Sequence, residues 1–158
     1  MENEINPHEA EVGCCKEEIQ ESDEDFWKNH FLREEPHVPK ILLVEDEVLN
    51  QNLIRMFCEQ NGWLVAVAGD GKRALEILEE EEVDLVLLDI QLPEMNGFEV
   101  ARRIRASGHA DLPIIAATAL SGADVEKACL AAGMNGYLRK PLDFQKMKEV
   151  VARWLKEE

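Results

Sequence analysis

The chain has 158 residues, of which 46% are apolar and 32% are charged, a composition typical of a globular protein that buries a core. Its formal net charge of −16 repels phosphate backbones, which argues against direct nucleic-acid binding. No apolar run approaches the roughly 20 residues that a membrane helix needs, and the N-terminus has no secretory signal, so we expect a cytoplasmic protein.

The N-terminal part of the chain differs in composition from the rest. Residues 1–38 contain twelve acidic and three basic residues and lack sustained periodicity, as disordered tails do. Within them, SDEDFWKNHFL is either a solvated stretch with a transient turn or a short helix capped by Ser22, whose aromatic residues would make it a docking segment. We therefore expect an acidic N-terminal extension over 1–38, partly disordered or with a short helix, and a folded domain over 39–158.

From residue 40 onwards, short apolar runs alternate with stretches of helical spacing. The runs predict strands at 41–44, 64–68, 85–88, 113–118 and 136–138. The other stretches predict helices at roughly 49–61, 71–81, 97–107, 122–132 and 143–156. Gly62 and Gly133 lie where two of these helices end, as left-handed capping residues do. Five alternating strands and helices predict an α/β fold with a parallel sheet covered on both faces.

The first predicted helix has more apolar residues than one buried face needs. The side chains expected to face the sheet are Leu53, Ile54, Phe57 and Cys58. Val48, Leu49 and Met56 then lie on other flanks, where they pack in the core or form a docking surface for another protein.

The four cysteines lack the spacing of a zinc site or a disulfide framework. Cys58 and Cys129 fall inside helical apolar patterns, so we expect both to be reduced thiols in the core.

Polar side chains gather where the predicted strands end. Because ligands bind beyond the carboxyl ends of parallel strands, these side chains are expected to converge at one edge of the sheet. They are Glu45, Asp46, Glu47, Asp89, Thr118 and Lys140. Carboxylates without His or Cys suit Mg²⁺ or Mn²⁺, and a carboxylate beside such a metal can attack phosphorus. An ammonium and a hydroxyl can neutralise a transferring phosphoryl group, so the set suits phosphoryl transfer to a carboxylate.

At these residues the chain resembles the receiver domains of response regulators, over about 39–157. The resemblance rests on VED at 44–46, LLDIQLPEMNG at 87–97, AAT at 116–118 and KP at 140–141. The stretches VEDEVLNQ and GMNGYLRKP are most similar to receivers of hybrid histidine kinases and phosphorelays. The resemblance implies a doubly wound, flavodoxin-like (βα)5 fold with strand order 2-1-3-4-5.

The resemblance also implies the catalytic and switch residues. Asp89 is the expected phosphoacceptor, Thr118 is expected to bond a phosphoryl oxygen, and Lys140 is expected to pair with the phosphate. Tyr137, together with Thr118, is the expected switch between the inactive and active states. The Lys140–Pro141 bond is expected to be cis.

A metal site follows from the same resemblance. Asp46 is the expected direct ligand of Mg²⁺ or Mn²⁺, Glu45 is expected to act largely through water, and Asp89 completes the set of carboxylates. The backbone carbonyl of Gln91 is the remaining expected ligand. Glu47 has no ligand role and is expected to begin the first helix, where negative charge is favourable. No cofactor other than the metal is expected.

These expectations predict a signalling module that takes a phosphoryl group from a sensor histidine kinase or a histidine phosphotransfer protein. The module catalyses its own phosphorylation and dephosphorylation, or passes the phosphate on in a phosphorelay, rather than turning over a substrate. The expected output is an altered surface of the fourth helix, fifth strand and fifth helix, read by a downstream protein. No output domain follows residue 158, so we expect a stand-alone receiver or relay intermediate. The receiver end of a larger hybrid kinase stays open.

Three other functions compete with this interpretation. A non-catalytic binding module would keep the fold for docking alone, but the intact Asp89, Thr118 and Lys140 argue against it. A metal-dependent phosphatase with a D-x-D motif needs an acid where this chain has Gln91. A flavodoxin-like nucleotide carrier needs a phosphate-binding loop after the first strand, where the acidic residues starting at Glu45 would repel a phosphate.

Overall fold

The structure is a computed structural model and describes residues 36–156. The predicted helix in SDEDFWKNHFL lies outside the described residues. The strands are β1 (Lys40–Val44), β2 (Leu64–Ala68), β3 (Leu85–Asp89), β4 (Ile114–Thr118) and β5 (Gly136–Arg139). The helices are α1 (Val48–Gln60), α2 (Gly71–Glu80), α3 (Gly97–Ala106), α4 (Ala123–Ala131) and α5 (Phe144–Leu155). Each bound lies within one residue of its predicted position.

The five strands form one parallel sheet in the order β2-β1-β3-β4-β5, which confirms the expected fold class and strand order. Val44 of β1 is opposite Leu88 of β3, and Thr118 of β4 is opposite Arg139 of β5. Because of this register, the chain leaves β1, β3, β4 and β5 at the same edge of the sheet. The residues that follow these strands are therefore neighbours in space although they are far apart in sequence.

The sheet separates two apolar cores. Successive side chains of a strand point to opposite faces, and in β1 Leu42 belongs to one core while Ile41 belongs to the other. The first core lies under α2, α3 and α4, and the second lies under α1 and α5. The central strands β3 and β4 are buried along their whole length, as their unbroken apolar runs predict.

Side-chain caps and glycines explain where several elements begin and end. Asp70 and Asn96 precede α2 and α3, and their side chains accept hydrogen bonds from the backbone N–H groups of Arg73 (2.8 Å) and Glu99 (3.0 Å). After α1, Gly62 has a φ of +84°, and after α4, Gly133 has a φ of +99°, which confirms the predicted left-handed positions.

The expectation for Leu53 is wrong. Ile54 and Cys58 of α1 are buried against the sheet, whereas Leu53 is 47% exposed. Since one residue turns a helix by about 100°, Leu53 cannot share the centre of the buried face with Ile54. It instead joins Leu49 and Met56 on the exposed flank of the helix, which makes this flank more apolar than predicted.

Within residues 36–156, no helix combines the length and the apolar character needed to span a membrane.

Candidate functional site

Three carboxylates meet at the carboxyl edge of the sheet. Glu45 and Asp46 directly follow β1, and Asp89 is the last residue of the neighbouring strand β3. Each of the three offers a carboxylate oxygen, and these oxygens all lie within 4.8 Å of one another. Glu45 and Asp89 are buried, with exposures of 2% and 6%, and Asp46 is exposed. The structure thus brings together three residues that the sequence assigns to one site.

Lys140 connects two of these carboxylates. Its ammonium nitrogen lies 2.8 Å from Glu45 Oε1 and 2.9 Å from Asp89 Oδ2. Its backbone N–H donates to the carbonyl oxygen of Thr118 at 2.8 Å, which fixes the start of the segment after β5 beside β4. The Lys140–Pro141 bond is cis, as expected.

The pKa of the Lys140 ammonium is raised despite its partial burial. Burial alone lowers the pKa, but the hydrogen bonds to Glu45 and Asp89 and the charges of the two carboxylates raise it by more. Lys140 is therefore a cation at neutral pH, and it offsets part of the repulsion between the clustered acids.

Thr118 and Tyr137 are connected through one residue. Thr118 ends β4 and is fully buried, and its hydroxyl accepts a hydrogen bond from the N–H of Leu120 at 3.1 Å. The half-buried Tyr137 of β5 donates its hydroxyl to the carbonyl oxygen of Leu120 at 2.9 Å. No hydrogen bond joins Thr118 to Asp89 among residues 36–156. The structure thus connects the two expected switch residues with each other rather than with the acidic cluster.

Gln91 and Glu47 contribute backbone groups to the site. The N–H of Gln91 donates to Asp89 Oδ1 at 3.0 Å, and the N–H of Glu47 donates to Glu45 Oε2 at 3.2 Å. The side chain of Gln91 is exposed. Glu47 is the N-cap residue of α1, as expected, and it is not one of the three clustered carboxylates.

Two residues close to the site were not singled out by sequence reasoning. The side-chain nitrogen of Gln51 donates to the carbonyl oxygen of Glu45 at 2.6 Å. Gly97 begins α3, and a Cβ atom there would lie 2.5 Å from the carbonyl oxygen of Asp89. In the sequence, the only feature that could have pointed to Gln51 is its position six residues after Glu45. Gly97, in contrast, lies within the LLDIQLPEMNG motif.

The donor set fits a hard divalent cation. Mg²⁺ prefers oxygen ligands and is usually held by one or two carboxylates together with water. Glu45, Asp46 and Asp89 supply oxygen donors, and their mutual repulsion would be relieved by a cation. Neither His nor Cys belongs to the cluster, so a soft-metal site is disfavoured.

An apolar groove lies beside Lys140. It has a volume of about 440 Å³ and is formed by the middle of α1, the residue after Thr118 and the segment from Lys140 into α5. Its lining residues are Asn50, Leu53, Ile54, Ala119, Lys140, Pro141, Leu142 and Phe144. The rings of Phe57 and Phe144 stack with centroids 4.8 Å apart, which joins α1 to α5. The exposed Leu53 is thus part of a surface that adjoins the acidic site.

Comparisons with known proteins agree with this architecture. The sensor histidine kinase GacS of Pseudomonas protegens is 32% identical over 162 aligned positions, which cover 94% of this chain and 18% of that protein. The receiver domain of the sensor histidine kinase PA1611 from Pseudomonas aeruginosa, solved with a magnesium ion in its active site cleft, is 35% identical. It matches with a TM-score of 0.71 over 77% of this chain and 100% of its own.

The protein is also similar to a chain in the co-crystal structure of the Saccharomyces cerevisiae histidine phosphotransfer protein Ypd1 and the receiver domain of Ssk1. The two chains are 27% identical and match with a TM-score of 0.70, over 74% of this chain and 88% of the matched chain. This chain spans 6% to 18% of the length of three curated relatives, which are larger sensor proteins.

The family model described as the response regulator receiver domain matches residues 41–152. Together with the strand order and the arrangement of Asp89 and Lys140, this match shows that the chain belongs to the receiver domain family of two-component signalling.

Proposed function

We propose that Asp89 accepts a phosphoryl group from a phosphohistidine on a donor protein. The observation that carries the proposal is the contact of Lys140 with Asp89 and Glu45 inside the acidic cluster. A buried carboxylate beside a fixed cation has the nucleophile and the charge compensation that phosphoryl transfer requires.

In the transfer step, a carboxylate oxygen of Asp89 attacks the phosphorus atom. A P–O bond forms while the P–N bond to the donor imidazole breaks, and the electron pair returns to the imidazole nitrogen, which takes up a proton from water. Attack of water on the acyl phosphate later releases inorganic phosphate and restores the carboxylate. Transfer to a second histidine in a relay reverses the first step.

Lys140 and Thr118 act on the phosphoryl oxygens in this proposal. The Lys140 ammonium already lies 2.9 Å from Asp89 Oδ2, so it needs little movement to pair with a phosphoryl oxygen on that residue. The Thr118 hydroxyl accepts a hydrogen bond from Leu120, which leaves its own proton free to be donated.

Glu45, Asp46, Asp89 and the backbone carbonyl of Gln91 would hold Mg²⁺ or Mn²⁺. The bound ion would supply positive charge that compensates the phosphoryl oxygens and the clustered carboxylates. The donor set and the magnesium ion in the related PA1611 receiver support this part of the proposal.

The donor in this proposal is a sensor histidine kinase or a histidine phosphotransfer protein. The exposed flank of α1 and the groove beside Lys140 give it an apolar docking surface next to Asp89. A co-crystal structure of a phosphotransfer protein with a receiver domain exists among the similar structures, which supports a partner of this class.

The proposed output is a second conformation of the surface formed by α4, β5 and α5, which a downstream protein recognises. A ligand shifts such an equilibrium only through contacts that differ between the two states. The hydrogen bonds from Leu120 to Thr118 and from Tyr137 to Leu120 connect the site with the segment before α4, and they are the contacts that a phosphoryl group on Asp89 would change. A protein target, rather than nucleic acid, agrees with the strongly negative charge.

Beryllofluoride with Mg²⁺ tests the proposal against the non-catalytic binding module. As a mimic of a phosphoryl group, it should change the NMR signals of Asp89, Thr118 and Tyr137 in the wild type and leave an Asp89→Asn variant unchanged. Unchanged spectra in both proteins would favour the binding module. The greater length of the related sensor proteins keeps the receiver of a hybrid kinase as a second candidate, with the same chemistry at Asp89.

A further inference from the structure

We infer that Gln51 is a positioning residue that orients Asp46 toward a bound divalent cation. The inference rests on the proposed cation site and concerns how the chain holds its most exposed ligand. Asp46 is the one exposed member of the acidic cluster, and within residues 36–156 its carboxylate makes no hydrogen bond or ion pair. The position of this carboxylate is therefore set by the backbone that carries it.

That backbone is held on both sides of Glu45. The N–H of Glu45 donates to the carbonyl oxygen of Ala68 at 3.0 Å, which anchors it to the end of β2. The carbonyl oxygen of Glu45 accepts from the Gln51 side chain at 2.6 Å. This carbonyl and the nitrogen of Asp46 belong to one planar peptide group, so the hydrogen bond from Gln51 fixes the peptide that leads directly into Asp46.

The first turn of α1 places Gln51 where it can make this contact. Its backbone N–H donates to the carbonyl oxygen of Glu47 at 2.9 Å, and its side chain turns back toward the end of β1. The side chain is half-buried, and a Cβ atom at Gly69 would lie 3.9 Å from its nitrogen, so it is held between the backbone segments that follow β1 and β2.

The chemistry of glutamine suits this role. Its neutral amide donates a hydrogen bond without adding a positive charge, which a lysine or arginine would bring next to a cation site. A glutamate would place a second acceptor against the Glu45 carbonyl. Residues that orient metal ligands in this way typically change metal affinity by 10–100-fold when they are replaced.

Two variants separate the hydrogen bond from simple packing. Gln51→Met keeps the length of the side chain but removes the donor, and Gln51→Asn keeps the donor but shortens its reach. Gln60→Met is a matched control, because Gln60 ends the same helix and is exposed. Titration of each folded protein with MgCl₂, followed through the backbone amide signals of Asp46 and Asp89, gives the Mg²⁺ dissociation constant, and thermal unfolding without metal gives the stability.

We expect both Gln51 variants to bind Mg²⁺ about tenfold more weakly than the wild type, and the control to bind like the wild type. Wild-type affinity in Gln51→Met, or loss of the folded state in both Gln51 variants, would overturn the inference because Gln51 would then be a packing residue. Absence of Mg²⁺ binding in the wild type would instead contradict the proposed cation site, and the inference with it.

Discussion

Lys140 is the residue on which the charge balance of the site depends. Its ammonium contacts Glu45 and Asp89 at hydrogen-bonding distance, and its pKa is raised although burial alone would lower it. Breaking such a partly buried arrangement by removing one partner leaves the other charges uncompensated. A cation of the chain itself therefore compensates part of the negative charge of Glu45 and Asp89, and it would become available to a phosphoryl group on Asp89.

At the scale of single residues, Cys58 gives a prediction on pH. The thiol is fully buried in α1, and burial, with a smaller contribution from the charge of Glu59, raises its pKa to about 12 from 9.0. The folded state keeps the proton where the unfolded chain loses it. The contribution of this group to the stability of the folded state is therefore complete below pH 9. It is lost as the pH rises toward 12, because the unfolded chain releases the proton first.

Between pH 8 and pH 10, the free energy of unfolding of the wild type should fall by about 1 kcal/mol more than that of Cys58→Ala. The constant cost of the cavity in the variant does not affect this difference, because only the slope with pH is compared. Urea unfolding at both pH values measures it, and equal losses in the two proteins would show that Cys58 titrates normally in the folded state.

At the scale of elements, the approach of α3 to β3 requires a glycine. A Cβ atom at Gly97 would lie 2.5 Å from the carbonyl oxygen of Asp89 and 2.7 Å from Cα of Ile90. We expect Gly97→Ala to lower the free energy of unfolding by about 1–3 kcal/mol, because backbone atoms of Asp89 and Ile90 must shift.

Gly69→Ala is the matched control for this change, since its Cβ atom would meet only the Gln51 side chain at 3.9 Å. Its effect in the same urea unfolding measurement should stay within about 0.5 kcal/mol. A Gly97→Ala protein as stable as the control would mean that α3 can move away from β3 at little cost.

The elements themselves were predictable from the sequence because each carries a clear period and a clear end signal. The apolar runs of β3 and β4 end one residue before the strands do, and Gly62 and Gly133 follow the ends of two helices. The expectation for Leu53 was wrong because an apolar residue next to the buried stripe of α1 looks the same in sequence whether or not it is covered. Burial at the margin of a helix face depends on the neighbouring segment, here the one that follows Lys140.

The site was predictable only where a residue type at a strand end is informative. Asp89 directly follows an apolar run, Lys140 lies two residues after one, and the topology brings the two together. Gln51 carries no such signal, since a polar residue in the first turn of an amphipathic helix is ordinary. Its contact with Glu45 depends on the path of the backbone between β1 and α1, which periodicity does not describe.

At the scale of the whole molecule, the exposed flank of α1 gives a prediction on partner docking. Leu49 and Met56 are 67% and 54% exposed on the helix that borders the groove. Leu49→Glu or Met56→Glu should slow phosphotransfer from a histidine phosphotransfer protein about tenfold, because each variant places a charge at the centre of an apolar docking contact. Phosphorylation by acetyl phosphate should keep its wild-type rate, since the small molecule needs no docking surface.

Leu130→Glu is the control for this experiment. Leu130 is 59% exposed, and it belongs to α4, which covers the opposite face of the sheet. Transfer rates from both donors should match those of the wild type. A variant of Leu49 or Met56 that slows both donors equally would point to damage at Asp89 rather than to lost docking.

The division of the chain near residue 38 stays a prediction, as do the roles assigned to the acidic extension. The resemblance, the family match and the site geometry all concern the part that follows it. The central claim, phosphorylation of Asp89, can therefore be tested on the full chain, whatever the role of residues 1–38.

The most direct test is the intact mass of the protein after incubation with acetyl phosphate and Mg²⁺, compared among the wild type, Asp89→Asn and Asp124→Asn. Asp124 is an exposed acid in the first turn of α4 and serves as the control. The account predicts a gain of one phosphoryl group in the wild type and in Asp124→Asn, and none in Asp89→Asn. A folded wild type without the gain, or an equal gain in Asp89→Asn, would contradict it.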